Sequence, residues 1–535
     1  MKWSLASALF VAAATGGLIT GCSKGNFSEK GQEAKGTVFR YPIVTAPTTL
    51  DPAKVQDGDT IDAVQQVFEG LVGWSTDNKP EPRLAESIEV SPDGTTYTFK
   101  LRKGIKFSSG RSVTAKDFKD CFERACNPEF GSPTAATYLT DIVGVTERLN
   151  KKASEVTGYK AIDDSTVEIK IDKPRPYFLG KLTYPAAFVY DLTKMKDPVK
   201  EMATVDEMVG TGPYIFTEYV PDQILKLKAN ADYFGGAPKI DGIERPIVKD
   251  ANTRLNMFKQ GQVDLVPLER QDLPAVNADA KLKPQLQFFD RPVIWYLGMN
   301  CAIYEPFKKR EVRQAVAMAI DVDDIVKTTL DNNVIRATGI VPKGVFGYRE
   351  STNLLKFDPV KARELLAKAG YPGGKGLPKF ELTFREARPD IQLVASRIAS
   401  DLKKNLNMDV SLRTMEWRAY LEKNNRKEMP FFHMRWGADY LDAENFLSTL
   451  LASYGPENKV NYVNAQYDAL CRQADTASDE ATRLKLYGQA EDIVLQDAPF
   501  VPIYFQRDAE LINPRVKGLR ESLFGHLPHT TVSLQ

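Results

Sequence analysis

A two-lobed α/β fold carrying an additional, smaller α+β lobe is what this 535-residue chain predicts. Three observations lead there. Single hydrophobic cores stop growing at roughly 250–300 residues, so a chain this long divides into two or three lobes. Between Phe380 and Trp417 the strand and helix periods alternate as βαβα, which calls for a sheet covered by helices. Between Pro80 and Asp206 short alternating strands surround a strong amphipathic helix, as in a self-contained α+β unit.

The elements follow in order. Thr37 to Val44 reads as a strand and Thr49 to Ala53, with Asp51 before Pro52, as a turn. Ile61, Val64, Val67, Phe68 and Leu71 recur at helical spacing, predicting a helix over 60–71. Ser91-Pro-Asp-Gly94 separates Ile88 and Val90 from the alternating Tyr97, Phe99 and Leu101, which marks a hairpin. Thr114 and Asp117 form a capping box ahead of a helix to Cys126. Val167, Ile169 and Ile171 point inward from a strand over 163–172. Further on come a helix over 252–261, a strand over 263–268 and a buried apolar strand over 292–300. Helices are expected over 311–320 and from Asp358-Pro359 to Gly370. The βαβα run comprises strand 380–384, helix 389–406, strand 408–412 and a helix opening near Trp417. Phe500 to Phe505 is a last strand, placed to return to the first lobe.

Composition removes several functions. Hydrophobic residues are 43% and charged residues 26%, ordinary for a globular protein. With 71 Lys plus Arg against 70 Asp plus Glu, the net charge of +1 supplies no field to gather nucleic acid or an anionic surface. His433, His526 and His529 are too few and scattered for a transition-metal site. Gly210-Thr-Gly-Pro-Tyr214 and Gly373-Gly-Lys-Gly376 both lack the Ser or Thr that ends a phosphate loop. No G-x-S-x-G elbow stands between a predicted strand and helix, the pattern occurring only at Gly21–Gly25 across Cys22, and no H-E-x-x-H helix is present, so neither an enzyme nor a cofactor is expected.

The first 22 residues are a different material. Lys2 precedes an uncharged run from Leu5 to Ile19, shorter than the roughly 20 apolar residues of a membrane span and suited to export. Leu18-Ile-Thr-Gly-Cys22 resembles the lipobox of bacterial lipoproteins, which implies lipidation at Cys22 and membrane attachment through it. Residues 23–36 are a polar, Gly-containing tether. The mature protein is therefore placed outside the cytoplasm. Cys121, Cys126, Cys301 and Cys471 remain, and the three ways of pairing them stay open.

One stretch concentrates binding chemistry. Trp417 and Trp436 stand nineteen positions apart, and the second opens Trp-Gly-Ala-Asp-Tyr, residues Trp436, Gly437, Ala438, Asp439 and Tyr440. The indoles offer flat walls, Gly437 room for a ligand backbone, and Asp439 a fixed negative charge. Such a set suits a long ligand with variable side chains and one cationic end.

Ordered along the chain, L-D-P-A at 50–53, V-F-E-G-L at 67–71, P-R-L-A-E-S at 82–87, V-T-A-K-D-F at 113–118, G-T-G-P-Y and F-D-P-V-K-A-R-E-L-L-A-K-A-G-Y at 357–371 resemble the extracellular solute-binding family serving bacterial peptide ABC transporters. The resemblance covers essentially the whole mature chain. It implies a periplasmic-binding-protein type II fold with a hinged cleft. Domain I would comprise 37–79, 207–297 and 500–535, the inserted domain II 80–206, and domain III 298–499. Within the family, W-G-A-D-Y with an upstream E-W is similar to the oligopeptide-binding members. This implies that Asp439 pairs with the α-ammonium of a bound peptide and that Trp417 and Trp436 line side-chain pockets. Where those members carry a basic residue for the ligand carboxylate, three before the second Trp, this chain has His433. Arg435, next to Trp436, is the candidate substitute, with a surface or interdomain ion pair as the other reading, since strand alternation turns it away from Trp436. The expected partners are an oligopeptide and an ABC permease, and the chain is expected to act as a monomer. Another solute on the same fold (an opine, a nickel complex, an oligosaccharide), a peptide receptor without transport, and an exported hydrolase are the alternatives.

Overall fold

The computed structural model describes residues 37–386 and 388–535; the export segment, Cys22 and the tether lie outside the described residues. The chain opens with β1 (Val38–Arg40) and α1 (Gly58–Val64), whose N-terminus Asp57 caps by accepting the Thr60 amide. This helix is half as long as its apolar spacing predicts. The carbonyls of Gln66 and Val67, which would have continued it, instead accept the amides of Tyr214 and Gly212. That contact also explains the glycines of G-T-G-P-Y. A Cβ on Gly210 would lie 2.0 Å from the Val67 carbonyl oxygen, and one on Gly212 2.7 Å from that of Gln66. The loop is a backbone-to-backbone seam.

The next part holds β2 (Ala85–Val90), β3 (Thr96–Leu101), α2 (Ala115–Ala125), β4 (Tyr159–Asp163), β5 (Thr166–Lys170) and α3 (Phe178–Lys181). Its strands form one antiparallel sheet in the order β2-β3-β5-β4. Gly94 takes φ 68° at the β2–β3 turn, and the Thr114–Asp117 capping box is formed. Val167, Ile169 and Ile171 are buried, but the strand begins at Thr166, because Asp163 caps a turn with the Ser165 amide.

β6 (Tyr214–Val220), β7 (Ile224–Ala229) and β8 (Gly242–Pro246) join β1 in a second sheet, ordered β1-β8-β7-β6. There follow α4 (Ala251–Lys259), β9 (Leu265–Leu268), β10 (Leu286–Met299), α5 (Arg310–Ala319) and α6 (Pro359–Lys368), the last capped by Asp358. Then come β11 (Phe380–Arg385), α7 (Pro389–Leu406), β12 (Val410–Met415), α8 (Trp417–Asn425), β13 (Phe431–Gly437) and β14 (Phe500–Ile512). The third sheet runs β9-β14-β10-β13-β11-β12, with Ile335–Arg336 added to β14. β11 is parallel to both β12 and β13, as the βαβα pattern requires.

The two long strands organise this sheet. The pairing of β10 with β14 shifts between Asp290 and Ile294. Before the shift β14 is flanked by β9; after it β10 is flanked by β13. Beyond the shift β10 is buried on both faces. Val293, Trp295, Leu297 and Met299 join the core under α5, α6 and α7, while Ile294 and Tyr296 join the core under α8. Phe432, Met434 and Trp436 of β13 pack with the second of these cores.

Cys121, Cys126, Cys301 and Cys471 are free thiols. Three of them are buried, and burial holds the Cys121, Cys126 and Cys471 thiols well above the ordinary range. In a chain beginning at Ser23, a thiol reagent without reductant is expected to label at most Cys301 while the protein is folded, and all four after unfolding. A non-reacting pair after unfolding would show a disulfide instead.

Candidate functional site

A cavity of about 490 Å³ opens where β10, β13 and β14 face the region around α1 and Tyr138. Its volume falls within the roughly 300–1,000 Å³ of small-ligand sites. Trp417, Arg435, Trp436, Gly437, Ala438 and Asp439 all lie in its wall. A stretch singled out for its residue types is therefore assembled on one surface.

Local geometry explains each placement. Trp417 is the first residue of α8, whose N-terminus Glu416 caps through the Ala419 amide at 3.0 Å. Its ring packs on Tyr420 at 5.7 Å and carries the Arg385 guanidinium 4.1 Å above it. Trp436 sits near the end of β13 and donates its indole N–H to Asn445 Oδ1 at 3.0 Å. The same oxygen accepts the Asp439 amide at 3.2 Å. One fully buried side chain, Asn445, thus fixes both the indole wall and the acid. Ala438 donates its amide to Pro292 at 2.8 Å, tying this corner to the start of the buried half of β10. A Cβ on Gly437 would lie 3.3 Å from Val293, so the glycine spares strand packing as well as leaving space in the wall.

Asp439 is the electrostatic centre. Tyr138 donates its hydroxyl to Asp439 Oδ2 at 2.6 Å, and Asn445 Nδ2 lies 3.5 Å from the same oxygen. No Lys, Arg or His among the described residues forms an ion pair with it. Burial pushes its carboxyl up to about 7, against the lowering effect of these two hydrogen bonds, and nearby Glu457 pushes the same way. The fold encloses a carboxylate supplied with neutral donors and no counter-cation.

Arg388 and Arg435 also line the cavity. Burial and the neighbouring Arg388 and Arg435 draw the Arg385 guanidinium down to about 9. Asp59 is held below the ordinary carboxylate range despite its burial, by Arg388, Arg435 and Arg385. This is a region of excess positive charge at the cavity wall.

Two residues of the stretch stand elsewhere. His433 lies on the face of β13 turned to Trp295, stacked at 5.3 Å and 23°, and it does not line the cavity. Burial lowers its imidazole to about 3, so it stays neutral and has no positive charge for a ligand carboxylate. Arg435 shares that face but stands two residues nearer the strand end, where the face opens into the cavity. Tyr440 is buried behind the wall, packed against Tyr177 and Gly180. Sequence reasoning missed Tyr138, Asn445 and Arg388. Asn445 lies near enough to suspect, six residues beyond Asp439; Tyr138 lies 301 residues upstream and carries no local signal.

On the far side of the cavity His526 sits between Glu510 and Glu521, with ligand-type atoms within 4.8 Å of one another. Burial alone would lower its pKa, yet the two carboxylates raise it to about 10. Arg291 also reaches Asp508 at 2.7 Å and Glu521 at 3.4 Å. These carboxylates already hold cations of the protein itself.

A cleft closed over a mixed aromatic and charged cavity, spanned by two long strands, defines a two-lobed solute-binding receptor of the type II periplasmic-binding-protein fold. The chain belongs to the bacterial extracellular solute-binding proteins, family 5, whose middle-region model matches residues 79–458. It is 31% identical over 492 residues to the dipeptide-binding protein DppE of Bacillus subtilis, covering 90% of this chain and 89% of that one. To heme-binding protein A of Haemophilus influenzae it is 32% identical over 538 residues, 94% of each chain. The murein tripeptide binding protein MppA of Escherichia coli superposes with a TM-score of 0.85 at 26% identity, covering 94% of this chain and 99% of that one. The unliganded open form of MppA gives 0.67 over the same shares of the two chains. The lobes here are thus disposed differently from that open form. No described helix is long and apolar enough to cross a membrane.

Proposed function

We propose that this chain is an extracytoplasmic receptor that captures short peptides by their free amino terminus and delivers them to an ABC permease. The observation that carries the reading is Asp439, an acid at the cavity wall with neutral donors and, among the described residues, no cation of its own. A peptide α-ammonium supplies that cation through a charge-assisted hydrogen bond. Trp417 and Trp436 give walls indifferent to side-chain identity, and Arg388 and Arg435 supply positive charge for the ligand carboxylate. Relatives named for a dipeptide and a murein tripeptide support this class of ligand. Heme carries carboxylates that Arg388 and Arg435 would receive but no ammonium to meet Asp439, so the acid favours a peptide. In the same reading domains I, II and III have the bounds given above, Cys22 is lipidated, and the receptor works as a monomer.

Calorimetry with a panel of tri- to pentapeptides, on protein stripped of co-purified ligand by unfolding and refolding, is the test. Micromolar or tighter binding of several peptides is expected; silence across the panel would move the ligand to another class. The pH profile is a second expectation. Below pH 7 Asp439 holds a proton that binding must displace, so affinity falls about tenfold per unit. Above about pH 8 the ligand amine, with an ordinary pKa of roughly 7.7–8.0, loses its own proton and affinity falls again. The maximum lies between, and the acid limb is absent from Asp439→Asn.

A further inference from the structure

Tyr440 is the one residue of segment 298–499 that joins the large core built from 39–265 and the C-terminal tail, among the described residues. The residues just before it hold the cavity wall, yet its ring leaves that wall and enters a socket on the opposing segment. There it stacks on Tyr177 at 5.7 Å and 19°. The Lys181 ammonium stands 5.8 Å over its ring and 5.0 Å over that of Tyr177. The floor of the socket is Gly180 of α3, where a Cβ would come within 2.7 Å of Tyr440 Cβ and 3.4 Å of its Cγ. Real Cβ atoms do not approach so closely, and a ring anchored at its own Cβ cannot swing aside as the far end of a flexible side chain can. The next-nearest atom to such a Cβ is Trp74 Cη2 at 3.8 Å, an ordinary contact. An alanine fits the socket when the peg is withdrawn and not when it is seated.

Ionic contacts seal the rim. Lys181, 3% exposed, pairs with Asp141 of its own segment at 2.8 Å and reaches across to Glu444 at 3.5 Å. Glu444 accepts the Tyr440 hydroxyl and the Thr449 hydroxyl. Two further bonds cross nearby, Tyr138 to Asp439 and Thr137 to Glu457. Asp439 and Tyr440 are consecutive, so the acid reaches its place in the wall when the following ring reaches the socket.

We propose that the ring of Tyr440 must find the socket floored by Gly180 unobstructed for the lobes to close, and that Tyr440, once seated there, is a positioning residue for Asp439. Both lie outside the cavity lining, so the device acts through closure rather than ligand contact. Its coupling to ligand rests on the reading of Asp439 above; the steric gate does not.

The test reads closure without ligand. Gln56 and Asn425 meet across the cleft, Asn425 Nδ2 to Gln56 Oε1 at 2.8 Å. Cysteines placed at both, on a Cys301→Ser background, are joined by a short bismaleimide, and the crosslinking rate measures visits to the closed form. Gly180→Ala is expected to slow crosslinking at least tenfold, and adding Tyr440→Ala to restore it to within about twofold of Tyr440→Ala alone. Tyr440→Trp, which leaves the socket segment untouched, is expected to slow it as well, so a Gly180→Ala chain that failed to fold would still leave a decisive variant. Unchanged rates in Gly180→Ala and Tyr440→Trp, or a slowing that removal of the ring does not relieve, would overturn the gate. Trialanine affinity is then expected to fall in step with the crosslinking rate. If no peptide of the tri- to pentapeptide panel binds wild type while the rates behave as stated, the ligand reading fails and the gate stands.

Discussion

Asp439→Asn is expected to lower affinity for a tripeptide with a free amino terminus by about two to three orders of magnitude. Removing one partner of an enclosed charge pair costs about 3–5 kcal/mol, since the other charge is left desolvated. The cavity is partly open, so we take the lower half of that range, ~3–4 kcal/mol, with each 1.4 kcal/mol worth a decade. Asparagine keeps an oxygen to accept the Tyr138 hydroxyl and an amide of similar shape, so the wall around it persists. The decisive measurement is a cycle by calorimetry: free and N-acetylated tripeptide on wild type and Asp439→Asn. Acetylation is expected to cost wild type as much as the mutation does, and to cost the variant almost nothing further. Acetylated peptide binding wild type as well as free peptide would remove Asp439 from the role.

The cycle also separates charge from shape. Trp417→Ala or Trp436→Ala strips apolar wall, which free and acetylated ligands contact equally, so both are expected to weaken together. Asn445→Ala stands between these cases. It releases the Trp436 indole N–H and the Asp439 amide at once, and it leaves Tyr138 as the hydrogen-bond donor to the carboxylate.

How far the sequence reaches is clearest where local rules and distant contacts compete. Helix α7 begins at Pro389 and ends at Leu406, as its proline start and apolar stripe predict, because both signals lie within the element. Helix α1 ends seven residues early because the loop at 210–214 takes its carbonyls, and no window around Leu71 contains that loop. The tail strand pairs with β10 through both halves, linking the parts on either side of the register shift where its apolar run suggested one return. The site divides in the same way. W-G-A-D was legible because wall, space and charge are adjacent in the chain. Tyr138 and Arg388 were not, since each arrives from another element. The misplacement of His433 has a simpler cause. The strand alternation that sets Arg435 opposite Trp436 also sets His433 opposite, and two residues further into the sheet than Arg435 that face is packed on Trp295.

Asp51 shows the same gap in energetic terms and carries the largest stability prediction. The sequence marks it as a turn acid before Pro52, and it does accept the Ala53 amide at 3.1 Å. Yet it is fully buried and also receives both terminal nitrogens of Arg124, at 3.0 and 2.5 Å, and the Met202 amide at 3.1 Å. Arg124, 5% exposed, donates in addition to the Tyr190 hydroxyl and the carbonyls of Pro198 and Lys200. One ion pair thereby ties residue 51 to α2 and to the 198–202 stretch. Asp51→Ala leaves a guanidinium among neutral acceptors with no counter-charge, and a loss of about 3–5 kcal/mol is expected. In a protein of several lobes this is read as an earlier urea transition of the part containing α2, since one global midpoint is not well defined. Asp51→Ala with Arg124→Met is expected to recover part of the loss, because it removes the uncompensated buried charge while still leaving the Ala53 and Met202 amides without their acceptor. If the single variant unfolds with wild type, the bidentate pair contributes nothing. If the double variant is worse than the single one, the remaining bonds of Arg124 outweigh its charge.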